Sequence, residues 1–211
     1  TPKSFKPTDE NLKNINEFFS TISEKGLMLV WETRGPDWTK EDVKRHLEKI
    51  LREHNVIHCV DIFLEEPVWI SQLSYIRLHG LGKRMYYYKF TNNDLMELRE
   101  KIENVLSGSS EVYVLFNNID MYDDAMRFIS ILRGEVPAEK WGIDALLEKL
   151  SDVKFPITKQ ELLEKFGKRK FFKSPQEYVS VEEVLKGMRD RSYSSIDELR
   201  KELESLVGDE L

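Results

Sequence analysis

The chain has 211 residues, 40% of them hydrophobic and 33% charged, with a net charge of -6; that is enough for one large domain, or a medium domain plus a small one. The acidic balance argues against a generally basic nucleic-acid binder, and no apolar run approaches the ~18 residues that a membrane span needs. The lone cysteine, Cys59, excludes an intrachain disulfide and a cysteine metal cluster, and with no signal peptide in view a reducing, cytoplasmic setting is expected.

Residues 1–7 read as an entering loop broken by Pro2 and Pro7. Thr8 is placed to cap a helix whose Leu12, Ile15, Phe19 and Ile22 recur at helical spacing, and Gly26 stops it. Leu27–Thr33, LMLVWET, is a nearly continuous apolar strand turning polar at Glu32, the kind found in sheets buried on both faces. Thr39 is expected to cap the next helix, which carries Val43, Leu47, Ile50 and Leu51 on one side. The strand Val56–Ile62, VIHCVDI, turns polar at Asp61, and Ser74–Gly80 follows the loop marked by Pro67. Alternation in this third strand puts Arg77 and His79 on one face and Ile76 and Leu78 on the other. Thr91, with Asp94 in the capping-box position, opens a helix bearing Leu95, Leu98 and Ile102. Glu111–Asn118, EVYVLFNN, is a fourth strand ending in two amides, and a helix through Ala125, Phe128, Ile129 and Leu132 runs to Gly134.

Alternating strands and helices are the pattern of α/β architecture. All four strands turn polar at their C-terminal ends, through Glu32 and Arg34, Asp61, Arg77 and His79, and Asn117 and Asn118. In open α/β sheets and closed barrels, ligands bind at that edge. The glycine fingerprint of a dinucleotide fold is absent. A closed barrel takes eight strands and typically ~250 residues, so four strands predict an open sheet or half of a barrel. From Trp141 the pattern changes. Ile143, Leu146, Leu147 and Leu150 suggest a linking helix, and three capping boxes follow: Thr158 with Glu161, Ser180 with Glu183, and Ser195 with Glu198. Residues 153–211 hold 12 basic and 12 acidic residues, so residues 1–152 carry the whole net charge of -6. A boundary near Asp152 is expected, with an all-helical domain beyond it.

Glu32, Asp61 and His79 could converge as oxygen and nitrogen ligands for a divalent metal, or form an ion-pair network with Arg34 and Arg77. His79 suits a general acid/base, and equally a hydrogen-bonded structural role. Gly80–Arg84 offers backbone N–H groups and the cations Lys83 and Arg84 to a phosphate, without the spacing of a Walker A loop. Asn117 and Asn118 can position a substrate or cap the next turn. The Tyr86–Tyr88 run fits packing better than base stacking, and His46, His54 and His58 read as surface or packing residues. In KFGKRKFFK, Lys168, Arg169 and Lys170 interleave with phenylalanines. Such a loop can hold single-stranded nucleic acid, or be solvated while Phe171 and Phe172 cover the helical core.

The run YIRLHG, then Tyr86-Tyr87-Tyr88, a helix, and VYVLFNN before an Ala-containing helix resembles the YecE-like barrel family, also known as domain-of-unknown-function family 72. TPKSFKPT, LVWETRGPDW and VIHCVDI resemble its pattern too, so the resemblance runs from Thr1 to about Gly134. It implies a TIM-like barrel of unestablished activity, with the first half of the barrel absent here. The tail is similar to domain-of-unknown-function family 2795 through FPITKQELLEKFG and RSYSSIDEL, which brings no activity.

The expected molecule is the C-terminal half of a TIM-like barrel (residues 1–152; four parallel strands with helices) plus a small all-helical domain (residues 153–211). At its rim Arg34, Arg77, Lys83, Arg84, Asn117 and Asn118 would bind a phosphorylated or nucleic-acid ligand. His79 would act as acid/base, with Glu32 and Asp61 as base or metal ligands, as in a phosphodiester or phosphate-ester hydrolase. Two alternatives stand beside it: a non-catalytic module recognising nucleic acid or protein through the rim and the Lys165–Lys173 loop, and a half-barrel inert until a partner chain or second copy completes it.

Overall fold

The periodicities of the first two thirds of the chain become real strands and helices, each strand shorter than the run that predicts it. A computed structural model describes residues 1–23 and 26–208. Helix α1 (Asp9–Ser23) leads to β1 (Leu29–Glu32), a short 3-10 helix (Pro36–Thr39), α2 (Glu41–Glu53), β2 (Val56–Cys59), β3 (Leu73–Leu78), α3 (Asn92–Val105), β4 (Glu111–Phe116) and α4 (Met121–Leu132). Thr8 caps α1 through the Asn11 N–H, and Thr91 and Asp94 form a complete capping box on α3. Thr39 does not cap α2. Its hydroxyl closes the 3-10 turn on the Pro36 carbonyl at 2.9 Å, and Lys40 opens the helix with no side-chain bond.

β1 and β2 pair in parallel, with Leu29 opposite Val56 and Glu32 opposite Cys59. β3 and β4 do the same, with Leu73 opposite Glu111 and Leu78 opposite Phe116. A parallel bridge between Val60 and Ile76 joins the two pairs in chain order, and the Arg77 N–H bonds to the Val60 carbonyl at 2.9 Å. Strand alternation then sorts the side chains. Ile76, Leu78 and Phe116 share a core with Phe90, Leu95, Leu98, Phe128 and Ile131. Leu29, Trp31 and Val56 pack with Phe19, Trp38, Val43 and Leu47 of the first helical layer. On the other face of the sheet Tyr75 and Tyr113 stack, their ring centroids 6.1 Å apart.

The remainder runs α5 (Gly142–Lys149), β5 (Ile157–Thr158), α6 (Lys159–Phe166), β6 (Lys170–Ser174), β7 (Glu177–Ser180), α7 (Val181–Leu185), β8 (Ser192–Tyr193) and α8 (Ile196–Val207). The all-helical expectation is therefore corrected: β6 and β7 form an antiparallel hairpin and β5 pairs antiparallel with β8. The capping boxes at Thr158 and Ser180 are complete. At Ser195 the hydroxyl takes the Glu198 N–H, while the Glu198 carboxylate turns to the Ser194 N–H. Between α6 and the Ser180 cap, adjacent phenylalanines suit opposite faces of a strand. Phe171 enters the core with Leu146, Leu162, Leu185, Tyr193 and Leu203, while Phe172 meets Tyr178 at 4.7 Å. The hairpin turn rests on the loop that follows β3, where the Lys89 N–H donates to the Pro175 carbonyl at 2.8 Å. Among the described residues no helix is long and apolar enough to cross a membrane.

Candidate functional site

Because β1, β2 and β3 lie side by side and point the same way, the chain leaving each delivers charged groups to one place. Glu32 ends β1, Arg34 and Asp61 follow β1 and β2 by two residues, and Arg77 and His79 straddle the end of β3. Arg77 Nη1 donates to Glu32 Oε2 at 2.7 Å. Arg34 reaches Glu32 Oε1 through Nε at 3.2 Å and Nη2 at 3.1 Å. His79 is held between two carboxylates: Nε2 lies 3.4 Å from Glu32 Oε1, and Nδ1 lies 3.5 Å from Asp61 Oδ2. Asp61 also accepts the backbone N–H of His79 at 2.9 Å and that of Phe63 at 3.2 Å, which fixes the turn into the cluster. Burial works against charge on Glu32, but the Arg77 hydrogen bond and the charges of Arg34, Arg77 and His79 outweigh it and hold the carboxyl below its usual range.

Glu32, Arg34, Asp61 and His79 line a cleft of about 330 Å³ together with Thr33, Gly35, Leu64 and Met85, and Arg77 backs its wall through the bond to Glu32. Behind it, Thr33 Oγ1 meets His58 Nε2 at 3.1 Å, and His58 Nδ1 accepts the Val68 N–H at 3.1 Å. That acceptance leaves the proton on Nε2. Burial, then the nearby Lys44 charge, pushes His58 down to about 4, so it is a neutral packing residue. Cys59 is buried, and burial first pushes its thiol up to about 12, away from nucleophile chemistry.

A divalent cation at Glu32, Asp61 and His79 would have to displace donors already in place: two guanidiniums on Glu32 and two backbone N–H groups on Asp61. The donor set fits an ion-pair network better. Metal-ligand spacing occurs elsewhere, at Asp120, Asp123 and Asp124. There the buried Lys89 ammonium already bridges Asp120 and Asp123.

The other expected residues are dispersed. Lys83 and Arg84 are exposed, and Arg84 lies 3.7 Å over the Tyr87 ring, so neither bonds to the Glu32 cluster. Asn117 is half-buried. Asn118 is buried on the helix side, its amide donating to the Tyr88 carbonyl and to Asp124 Oδ2, both at 2.6 Å. Asp124 accepts in turn from Arg127 Nη1 at 3.2 Å. Arg127 also holds the Phe90 carbonyl at 2.6 Å, Asn92 Oδ1 at 2.7 Å and Glu139 at 3.2 Å. Asn118 thus serves neither the rim nor a turn cap: it ties the Tyr88 backbone to α4, and its Oδ1 accepts no hydrogen bond among the described residues. Of the basic trio in the tail, Arg169 is spent on a bidentate pair with Asp152, at 2.6 and 2.8 Å, and on the Lys149 carbonyl. Lys168 and Lys170 remain exposed on either side of it.

Tyr86 is the residue that sequence reasoning missed. Arg34 Nη1 donates to its hydroxyl at 3.4 Å, and its ring meets that of His79 edge-on at 5.6 Å. Its neighbours behave differently. Tyr87 lies under Arg84, and Tyr88 is buried with its hydroxyl on Asp94 at 2.7 Å. A run of three tyrosines holds no signal for which one turns to Arg34 and His79.

Among solved structures, the chain is similar to a DUF72 family protein from Thermotoga maritima at 22% identity and a TM-score of 0.51, covering 63% of this chain and 55% of that one. It is also similar to a DUF72 family protein from Enterococcus faecalis at 19% identity and a TM-score of 0.52, covering 65% and 57%. The chain therefore spans a little over half the length of these relatives, and at such identities the likeness speaks to fold alone. No curated protein matches the chain. Residues 1–148 match the family described as protein of unknown function DUF72, and the chain belongs to that family.

Proposed function

We propose that the cleft at the ends of β1–β3 binds a phosphorylated ligand, a small phosphate ester or a nucleic-acid phosphate, through Arg34 and Arg77. One observation carries this reading: guanidiniums from the ends of β1 and β3, on either side of β2, converge on a single carboxylate while their side chains stay 29% and 34% exposed. Each keeps N–H donors that an incoming phosphate can take, and the planar fork suits it. His79 would serve as acid/base beside the bound ester, with Asp61 orienting its ring, if the ligand is hydrolysed. A second reading, a non-catalytic module, is favoured by the way both oxygens of Glu32 and of Asp61 are already engaged. Calorimetric titration with inorganic phosphate and with an oligonucleotide tests the common part. Arg77→Ala is expected to abolish binding with the unfolding midpoint little changed. The reading fails if the wild-type protein binds neither probe, or if the variant simply unfolds.

The same reading treats residues 1–152 as the C-terminal half of a TIM-like, YecE-like barrel and residues 153–211 as a second unit similar to family 2795. Support comes from the open flanks. Leu27, Met28 and Val30 are exposed beside β1, Tyr113 on β4, and Tyr122, Met126 and Ile129 along one face of α4. Natural proteins seldom leave strand edges flanked by such side chains open. A partner chain or a second copy would close the barrel, and sedimentation at micromolar concentration should show an assembly. A compact monomer that binds its ligand alone would make the four strands a self-sufficient sheet.

A further inference from the structure

Tyr86 has a left-handed backbone, with φ of 71°. For a bulky residue this is an outlier, sustained only where the surroundings over-determine it. The surroundings do so here. Its N–H bonds to the His79 carbonyl at 3.0 Å, and its carbonyl accepts the Ile119 N–H at 2.8 Å. The loop enters at Gly80, where φ is 100° and a Cβ would lie 2.5 Å from Tyr88 Cβ, so only glycine fits. It leaves at Lys89, and there the C-terminal unit takes hold. The Lys89 N–H bonds to the Pro175 carbonyl, the Lys89 ammonium lies 5.9 Å from the Phe172 ring, and the Tyr87 and Tyr178 rings approach to 6.1 Å.

We propose that Tyr86 is a positioning residue of the cleft and that the β6–β7 hairpin holds it there through the loop between Gly80 and Lys89. The Tyr86 hydroxyl accepts from Arg34 and so orients the guanidinium that an anion would meet, while the ring covers one side of His79. Glu32, Arg34 and Asp61 complete the surroundings of His79, with Glu65 and Lys3 further along the cleft wall. The ligand half of this inference rests on the phosphate reading. The coupling between hairpin and cleft does not.

The test uses the full chain, inorganic phosphate, and the NMR resonance of the His79 Cε1–H. Tyr86→Phe keeps the ring and removes the hydroxyl. Phosphate affinity should fall about three- to tenfold, the range for one ordinary hydrogen bond, while the His79 resonance stays in place. Tyr86→Ala should move the resonance as well. Tyr178→Leu, on the hairpin and outside the cleft, should move it in the same direction by a smaller amount. Wild-type affinity in Tyr86→Phe would overturn the positioning role, and an unmoved resonance in Tyr178→Leu would overturn the coupling. Should Tyr86→Ala fail to fold, Tyr86→Phe still decides the first point. If the wild-type protein binds no phosphate, the anion reading fails by itself, and the ligand-free resonance of Tyr178→Leu still decides the second.

Discussion

Glu32 and Asp124 are both carboxylates near the C-terminal ends of strands, each with an arginine beside it, and the fold treats them in opposite ways. Glu32 faces Arg34, Arg77 and His79 at the mouth of a cleft, and together they hold it ionised below its usual range. Asp124 is fully buried, and Arg127 divides its donors among the Phe90 carbonyl, Asn92 and Glu139 as well. Burial prevails over the bonds from Asn118 and Phe90 and raises Asp124 from 3.8 to about 6. Similar groups thus build a site in one place and a strut in the other. The number of cations and the reach of water decide which.

The largest effect should come from breaking the strut. Arg127→Met removes the guanidinium that pairs with Asp124 and Glu139, and a loss of about 3–5 kcal/mol is expected for breaking a buried ion pair. Chemical denaturation measures it, and a loss under about 1 kcal/mol would mean that the network carries little of the stability. The pH dependence is the next largest. Asp124 is raised in the folded state, so its contribution is fully present below 3.8 and is lost as pH climbs through about 6. That amounts to roughly 3 kcal/mol. Glu32 is lowered from 4.5, so its contribution is present above 4.5 and is lost as pH falls through its folded value. Unfolding midpoints across pH 4–7 for Asp124→Asn should show a shallower alkaline decline, the part that half-buried Glu65 carries remaining, and a slope equal to wild type would refute the assignment.

A smaller stability change is expected for Glu32→Gln. Its partners are partly solvated, so about 1 kcal/mol or less should be lost. Removing the carboxylate charge frees both arginines for an external anion, and phosphate should bind more tightly; weaker binding would show that Glu32 contributes directly to the ligand. The smallest change belongs to the paired substitution Lys168→Ala and Lys170→Ala. Stability should stay within about 0.5 kcal/mol of wild type. Oligonucleotide affinity and its salt dependence should not move, because Arg169 between them is committed to Asp152. A flattened salt slope would restore the tail to the nucleic-acid reading.

Glu32, Asp61, Arg77 and His79 were legible because parallel neighbours end side by side, so polar residues at successive strand ends must meet. Asn118 was misjudged although its parity was readable. It alternates in step with Phe116, whose side chain belongs to the helix-facing core, and Asn117 takes the other face. Tyr86 was beyond reach, since a left-handed turn leaves no period in the sequence. The β6–β7 hairpin hid behind capping boxes that were themselves correctly read. Caps mark where a helix begins and leave open what the chain does after it ends.

The junction between Lys89 and Pro175 also sets an order of assembly. Within the C-terminal unit, ladder partners such as Phe171 and Val179 lie close along the chain, whereas Lys89 meets Pro175 only after both parts have taken shape. Contacts between distant residues carry the larger loop-closure cost and form late. On the coupling proposed above, the grip on the Tyr86 loop is expected to form late in folding, with the cleft taking its final shape once the β6–β7 hairpin has docked.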